Sequence, residues 1–346
     1  MIARVRSRPA LRRTFLAAAA PLILAAPVVG QAGLAADALS DEERRAVVLR
    51  IRELLEDRYV WPEVGDEAGA DAVARLEAGE FDGVTAPEAF ATRLTEALQA
   101  VSHDRHLRVR VRPPEQSELE REDPAEARRR DAASARERNY GFERVERLEG
   151  NVGYVEMRYF DGTPEAKPTA AAAMNFLANA DAIIFDMRRN GGGSPEMIRY
   201  VSSWFFAEPT HLNSLYWRAG ERTQEFWTYD EIPGEKRPDV PIFVLTSGRT
   251  FSGAEEFSYN MRTQERATLI GEVTGGGANP GGTVPIDDRF EVFIPVGAAV
   301  NPITGTNWEG VGVTPHIEVP ANEALDVALE RAREAAEAYR AERSGS

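Results

Sequence analysis

Ser252 is the residue of this chain best placed to act as a nucleophile. It follows the apolar run Ile242-Phe243-Val244-Leu245, which reads as a buried strand, and precedes Gly253 to Thr263, which reads as a helix. A hydroxyl there sits at the positive end of a helix, where free main-chain N–H groups stabilise an oxyanion. Gly253 lets the backbone approach closely at the next position. Serine is equally a standard helix N-cap, so this feature alone favours capping. A second strand-to-helix junction, Asp186-Met187-Arg188-Arg189-Asn190-Gly191-Gly192-Gly193, carries three consecutive glycines. Such a run is costly in chain entropy, and one use for it is to aim N–H groups at a substrate oxygen. A phosphate cradle is a rival use, but no lysine follows as a Walker loop requires, and the Rossmann spacing is absent. A plain flexible turn is the third reading. Another triplet, Gly275-Gly276-Gly277, follows Thr274 and reads as a mobile or substrate-binding loop.

A serine nucleophile needs a base. The chain has two lysines, Lys167 and Lys236, and neither follows Ser252. Of the four histidines, His106 is the best candidate, because alternation puts it on the polar face at the start of a strand. His103 lies in the preceding loop, His316 sits among apolar residues near the C-terminus, and His211 completes the set. A third group must orient the base. Glu309 is a lone acid in the Gly-rich stretch Asn307-Trp308-Glu309-Gly310-Val311-Gly312, and acids in such surroundings usually have work to do. The esterase elbow Gly-x-Ser-x-Gly is missing, and no serine has lysine three positions later.

The elements that position these residues can be read from periodicity. Ser40 and Glu43 make a capping box ahead of Val47, Val48, Ile51, Leu54 and Leu55 at helical spacing. With the amphipathic stretches near 68–76 and 87–101, residues 37–112 read as an N-terminal helical domain ending in a strand, in which Leu107, Val109 and Val111 alternate with polar residues. Residues 113–139 are dense in charge and read as a solvated helix or mobile connector. From 140 to 346 strands and helices alternate, which predicts an α/β catalytic domain closed by a C-terminal helix.

Residues 1–36 read as an export signal, with Arg4, Arg6, Arg8, Arg12 and Arg13 ahead of an apolar run. That run is shorter than the roughly 20 apolar residues of a spanning helix, and Leu-Arg-Arg-Thr-Phe-Leu resembles a twin-arginine signal. The expectation is a periplasmic or secreted protein, with no stable membrane span once the signal is removed. The net charge of −15 argues against nucleic acid as a partner, and the lack of cysteine excludes disulfides and thiolate metal sites. No motif calls for a cofactor or a metal.

Taken in order, these segments resemble the tail-specific (C-terminal processing) serine peptidase superfamily. Asp186 to Gly193 looks like its Asp-Leu-Arg-x-Asn-Gly-Gly-Gly segment, and Thr246 to Glu255 like its nucleophile segment. Where the lysine-dependent branch has its base, this chain has Gly277, so a Ser-Lys dyad is excluded on that alignment. Tyr59-Val60-Trp61-Pro62, Asp104-Arg105-His106-Leu107, Gly271 to Pro280 and Trp308 to Pro315 look instead like the histidine-dependent branch of tricorn core protease and the interphotoreceptor retinoid-binding protein repeats.

The resemblance implies His106 as general base, Glu309 as the acid of the network, and an oxyanion hole from Gly253 and Gly192. It also implies a ClpP/crotonase-like core of ββα units behind the helical domain. Residues 113–139 are too few for the PDZ domain many members carry, and Arg105 replaces the serine that precedes the histidine in tricorn. Two functions then compete. One is a serine endopeptidase acting on peptides or proteins through a Ser252 acyl-enzyme. The other is a non-catalytic binding protein for apolar ligands or peptides, with Trp204, Phe205, Trp217 and Trp227 as its pocket.

Overall fold

The computed structural model describes residues 38–113 and 123–344. The predicted export signal therefore lies outside the described residues, as does part of the charged connector.

Three helices open the described chain: α1 (Asp41–Arg58), α2 (Pro62–Glu77) and α3 (Pro87–Ser102). The Ser40–Glu43 capping box starts α1, and Pro62 and Pro87 stand in the first turns of α2 and α3, where no N–H is needed. Their apolar faces bury Val48, Ile51, Leu55, Phe90, Leu94 and Leu98. These helices do not make a core of their own. Strand β1 (Arg108–Val111) pairs antiparallel with a strand from far down the chain, β10 (Phe290–Pro295), which also pairs with β9 (Gly281–Pro285). Phe290, Val292 and Ile294 then join the helices' cluster, with Phe90 and Phe290 edge to face at 5.7 Å. The helical segment and the later sheet thus share one core.

The charged connector forms α4 (Pro124–Glu137) where it is described, with only Ala135 buried. A six-stranded sheet follows, built from β2 (Phe142–Leu148), β3 (Val152–Met157), β4 (Ala182–Asp186), β7 (Ile242–Thr246), β8 (Thr268–Gly271) and β12 (Ile317–Glu318). Its order is β12-β8-β7-β4-β3-β2, parallel except for the β2–β3 edge pair. Every residue of β4 and β7 is buried, as expected of parallel strands covered on both faces.

Alternation along those strands divides them between two layers. Ile183, Phe185 and Val244 face the cluster containing α5 (Ala166–Phe176), α6 (Pro195–Ser202) and α7 (Gly253–Thr263). Ile184, Phe243 and Leu245 meet the alanine stripe Ala324, Ala328, Ala332 and Ala336 of α8 (Ala324–Ser344). The mixed α/β class with an N-terminal helical region is as the sequence predicts.

Helix α6 ends at Ser202 and tightens into a 3₁₀ turn over Ser203–Phe205. A hairpin, β5 (His211–Trp217) and β6 (Arg222–Trp227), was not anticipated; it pairs with β11 (Gly297–Val300). No helix among the described residues is long and apolar enough to cross a membrane.

Because the core is shared, Phe290→Ala should destabilise the protein by about 3–5 kcal/mol as one cooperative unit. Denaturant unfolding followed by far-UV circular dichroism and by tryptophan fluorescence should give one coincident, earlier transition. Two separated transitions would mean that α1–α3 fold independently.

Candidate active site

The segment carrying Ser252 is a tight turn between β7 and α7. Ser252 is the N-cap of α7 and has φ 55°, ψ −122°, a conformation an L-residue adopts only under constraint. Such a position costs on the order of 1–3 kcal/mol and persists only when its surroundings over-determine it. Here they do. The Ser252 N–H donates to Glu255 Oε2 at 2.8 Å, and the Phe251 N–H donates to the Asn190 carbonyl at 3.1 Å. Thr250 and Ser247 add hydroxyl bonds to the Met187 and Arg188 carbonyls at 2.8 and 2.6 Å. The segment lacks the Gly-x-Ser-x-Gly pattern, yet its backbone makes the same kind of strained strand-to-helix turn.

Those bonds clamp the turn against the glycine run after β4. A Cβ on Gly192, which has φ 114°, would lie 2.8 Å from both the Gly253 nitrogen and the Ser252 Cβ. A Cβ on Gly253 would lie 2.8 Å from the Gly193 nitrogen. The two glycines are therefore required by contact between the loops. The Gly192 N–H already donates to Asn190 Oδ1 at 2.9 Å. The N–H groups of Gly253 and Gly193 make no hydrogen bond among the described residues.

Glu255, fully buried, organises the other side. It accepts from Ser252 N, Thr274 Oγ1, Gly276 N and Gly277 N, the last three at 2.5, 2.6 and 2.8 Å. Burial holds its carboxyl above the ordinary range, although the four donors pull the other way. The triplet Gly275–Gly277 was expected to be mobile or substrate-binding. Its N–H groups are instead all engaged internally, Gly275 donating to the Thr250 carbonyl at 2.9 Å. Trp308 Nε1 further ties down the Gly277 carbonyl at 2.8 Å. The loop is a strut, and of the three only Gly275 lines an open cavity at the site.

His106 does not lie on the polar face of a strand as its alternation predicts. It precedes β1 and is buried, with its ring 4.6 Å from Phe251 and 5.4 Å from Phe293 between centroids. The cause is Asp104, whose Oδ1 accepts the His106 and Leu107 N–H groups at 2.9 and 3.4 Å and keeps them out of the strand ladder. Asp104 is itself fully buried, receiving Tyr59 Oη at 3.0 Å and Asn279 Nδ2 at 2.8 Å. The sequence reading missed it; an acid two residues before the candidate base was the available signal.

Glu309 stands beside this pair. It accepts Arg105 N at 2.8 Å, Ala278 N at 2.6 Å and Asn279 N at 3.0 Å, joining the histidine loop to the glycine strut. One ligand-type atom each from Asp104, His106 and Glu309 lie within 4.8 Å of one another. Burial, with the Asp104 charge, pushes Glu309 up to about 7. Burial, with the Arg108 charge, draws His106 down to about 4, and its Nδ1 is buried without a hydrogen-bond partner. No hydrogen bond joins the Ser252 hydroxyl to the His106 ring; the Phe251 ring stands next to both.

The other candidates are elsewhere. His316 Nδ1 accepts the Leu269 N–H, His211 Nε2 meets Ser214 Oγ, and His103 caps α3 with φ 54°. Trp204 and Phe205 are core residues, while Trp227 is 43% exposed and stacks on His211, so the four aromatics do not converge on one pocket.

Glu309 gives a signed prediction. Its proton is held more tightly in the folded state, so its contribution to stability is full below pH 4.5 and is lost as pH rises through about 7. Thermal unfolding should show the wild type losing stability relative to Glu309→Gln between those pH values. A difference that stays flat with pH would mean the carboxyl titrates as in the unfolded chain.

Comparison with known proteins places the chain in one family. The model for peptidase family S41 matches residues 151–319, and the model for the N-terminal domain of peptidase S41 in eukaryotic IRBP matches residues 40–142. A carboxy-terminal-processing protease of Bartonella bacilliformis is 24% identical over 50% of this chain and 40% of its own length. A carboxyl-terminal-processing protease of Synechocystis is 30% identical over 36% of this chain and 28% of its own. The match thus spans less than half the length of these relatives. In fold, the chain is similar to a solved structure from Parabacteroides merdae, with TM-score 0.57 and 18% identity over 85% of this chain and 97% of that one. It is also similar to the photosystem II D1 C-terminal processing protease, with TM-score 0.50 and 16% identity over 84% and 96%. With the two family models adjoining along most of its described length, the chain belongs to peptidase family S41.

Proposed function

We propose that this protein is a serine peptidase that cleaves peptides or proteins through a Ser252 acyl-enzyme, with His106 as its base. One observation carries the reading: a strained serine at a helix N-terminus has two unengaged main-chain N–H groups beside it, from Gly253 and Gly193. A serine that served only as a cap would need neither the strain nor the second loop pressed against it.

In the proposed reaction, Ser252 Oγ attacks the scissile carbonyl while His106 takes its proton and passes it to the leaving amine. The charge on the carbonyl oxygen is received by the N–H groups of Gly253 and Gly193. Gly193 replaces the Gly192 of the sequence reading, because the Gly192 N–H is already held by Asn190 Oδ1. Each donor is worth roughly 3 kcal/mol of barrier in such sites. Water then releases the acyl group by the reverse proton path. The Ser252–His106 hydrogen bond forms when substrate draws the histidine loop against Phe251, since such bonds commonly tighten only in the complex. Glu309 and Asp104 hold the histidine loop and place carboxylate charge near the imidazolium as it forms. Export follows from the N-terminal arginine-led apolar segment, and N-terminal sequencing of secreted or periplasmic protein tests it.

The binding-protein alternative has no pocket to support it at the four aromatics named for it. Ser252→Ala and His106→Ala should each reduce peptide hydrolysis by at least about 10³-fold, with the double variant little worse than either. Fluorophosphonate labelling should occur at Ser252 in the wild type alone. Turnover surviving either change would defeat the assignment.

A buried histidine drawn down to about 4 is neutral, and so competent as a base, well below the ordinary range. The acid limb of the kcat/KM profile should therefore fall near pH 4. Arg108→Gln should move it upward, because the repelling charge is gone. A limb fixed near 6.5 in both proteins would rule out His106 as the titrating group.

A further inference from the structure

Glu255 and Glu256 are neighbours in the first turn of α7 and both are buried, yet their surroundings are opposite. Glu255 draws four donors. Glu256 meets no cation among the described residues. What faces its carboxyl is the amides of Asn213, on β5, and of Asn260, one turn further along α7.

Both asparagines are fully buried, and Asn213 Nδ2, Asn213 Oδ1 and Asn260 Nδ2 have no hydrogen-bond partner among the described residues. A carboxylic acid suits such neighbours, because it donates one hydrogen bond and accepts others, whereas a carboxylate only accepts. An ionised carboxylate buried without a cation is costly, and the neutral form avoids that cost. Burial accordingly pushes Glu256 up to about 8. The elements packed against α7 supply no offsetting charge. On α6, Glu196 and Arg199 pair with each other, and Tyr200 packs edge to face on Trp204. On β5, His211 stacks on Trp227, and β8 carries no titratable residue. On α7 itself, Arg262 donates to the Thr314 carbonyl, Tyr259 donates to Thr304 Oγ1, and Glu255 is held by the glycine strut.

The Glu256 N–H donates to the Ser252 carbonyl at 3.0 Å. At about 1.5 Å of rise per residue, Glu256 stands roughly 6 Å along the helix from the serine. A negative charge there would oppose the charge received by the Gly253 and Gly193 N–H groups, and buried surroundings screen it poorly.

We propose that Glu256 is a positioning residue: held as a neutral acid between two asparagines, it supports the first turn of α7 and leaves the helix N-terminus free for an oxyanion, and its ionisation loosens the turn that holds Ser252. The effect on turnover rests on the reading of Ser252 as a nucleophile, and the effect on the turn does not.

Peptide hydrolysis would be followed from about pH 6 to 10 in the wild type and in Glu256→Gln. Hydrogen–deuterium exchange of residues 250–258, corrected for the intrinsic rate, would be read over the same range. Wild-type kcat/KM should fall about tenfold between pH 8 and 9, and the segment should lose protection with it. Glu256→Gln stays neutral, so both quantities should hold level there relative to their own maxima. Glu309 and His106 are the same in both proteins, so the difference reports Glu256. Asn213→Leu removes an amide that favours the ionised form, so it should move the fall to higher pH; this variant serves if Glu256→Gln does not fold. A wild type level through pH 10, a fall that persists in Glu256→Gln, or a fall unmoved by Asn213→Leu overturns the proposal. If the wild type turns over nothing at any pH, the nucleophile reading falls and exchange decides this one. Protection lost above pH 8 in the wild type alone then supports it, and equal exchange in the two proteins overturns it.

Discussion

The candidate site depends on one carboxylate. Glu255 gathers four donors from three places in the chain: the Ser252 N–H, the Thr274 hydroxyl, and the N–H groups of Gly276 and Gly277. Each bond is charge-assisted in surroundings where water cannot compete. The carboxylate therefore holds Ser252 in its strained conformation and fixes the glycine strut at the same time. Because Gly277 also stands against His106, with room for no side chain there, the carboxylate indirectly sets where the His106 ring can be. A Cβ on Gly277 would come within 2.7 Å of His106 Cε1.

A pair of acids plays the complementary part for His106. Asp104 folds the loop that carries His106, and Glu309 ties that loop to Ala278 and Asn279. Both acids are raised by burial, and each makes the other's charge less favourable. The chain tolerates this because main-chain N–H groups and the Tyr59 and Asn279 side chains are aimed at them. The outcome is a neutral imidazole, packed between two phenylalanines.

The fold brings these parts together by sharing a core between distant segments. β1 carries His106 into the molecule because it pairs with β10, and the Arg108–Phe293 register puts Phe293 against the histidine ring. The same pairing joins the N-terminal helices to the later strands, so His106 and Ser252 answer to one cooperative structure.

Much of this was legible in the sequence where short-range chemistry decides. Ser252 between a fully apolar strand and a helix, the glycine runs, the capping box at Ser40 and the alternation of buried strands with helices all follow from local pattern. The export signal and part of the connector fall outside the described residues. Contacts between distant segments were not legible. Alternation put His106 on a strand's polar face, but a buried Asp104 pulled it off the ladder, and nothing local announces Tyr59 and Asn279 as Asp104's partners. Gly192 and Gly193 are indistinguishable as letters; only the Asn190 side chain determines which N–H stays free. The residue types and their order thus determined that a serine, a histidine and glycine-rich turns would be available. Tertiary structure decided which groups face one another, because hydrogen bonding and desolvation act across space and not along the chain.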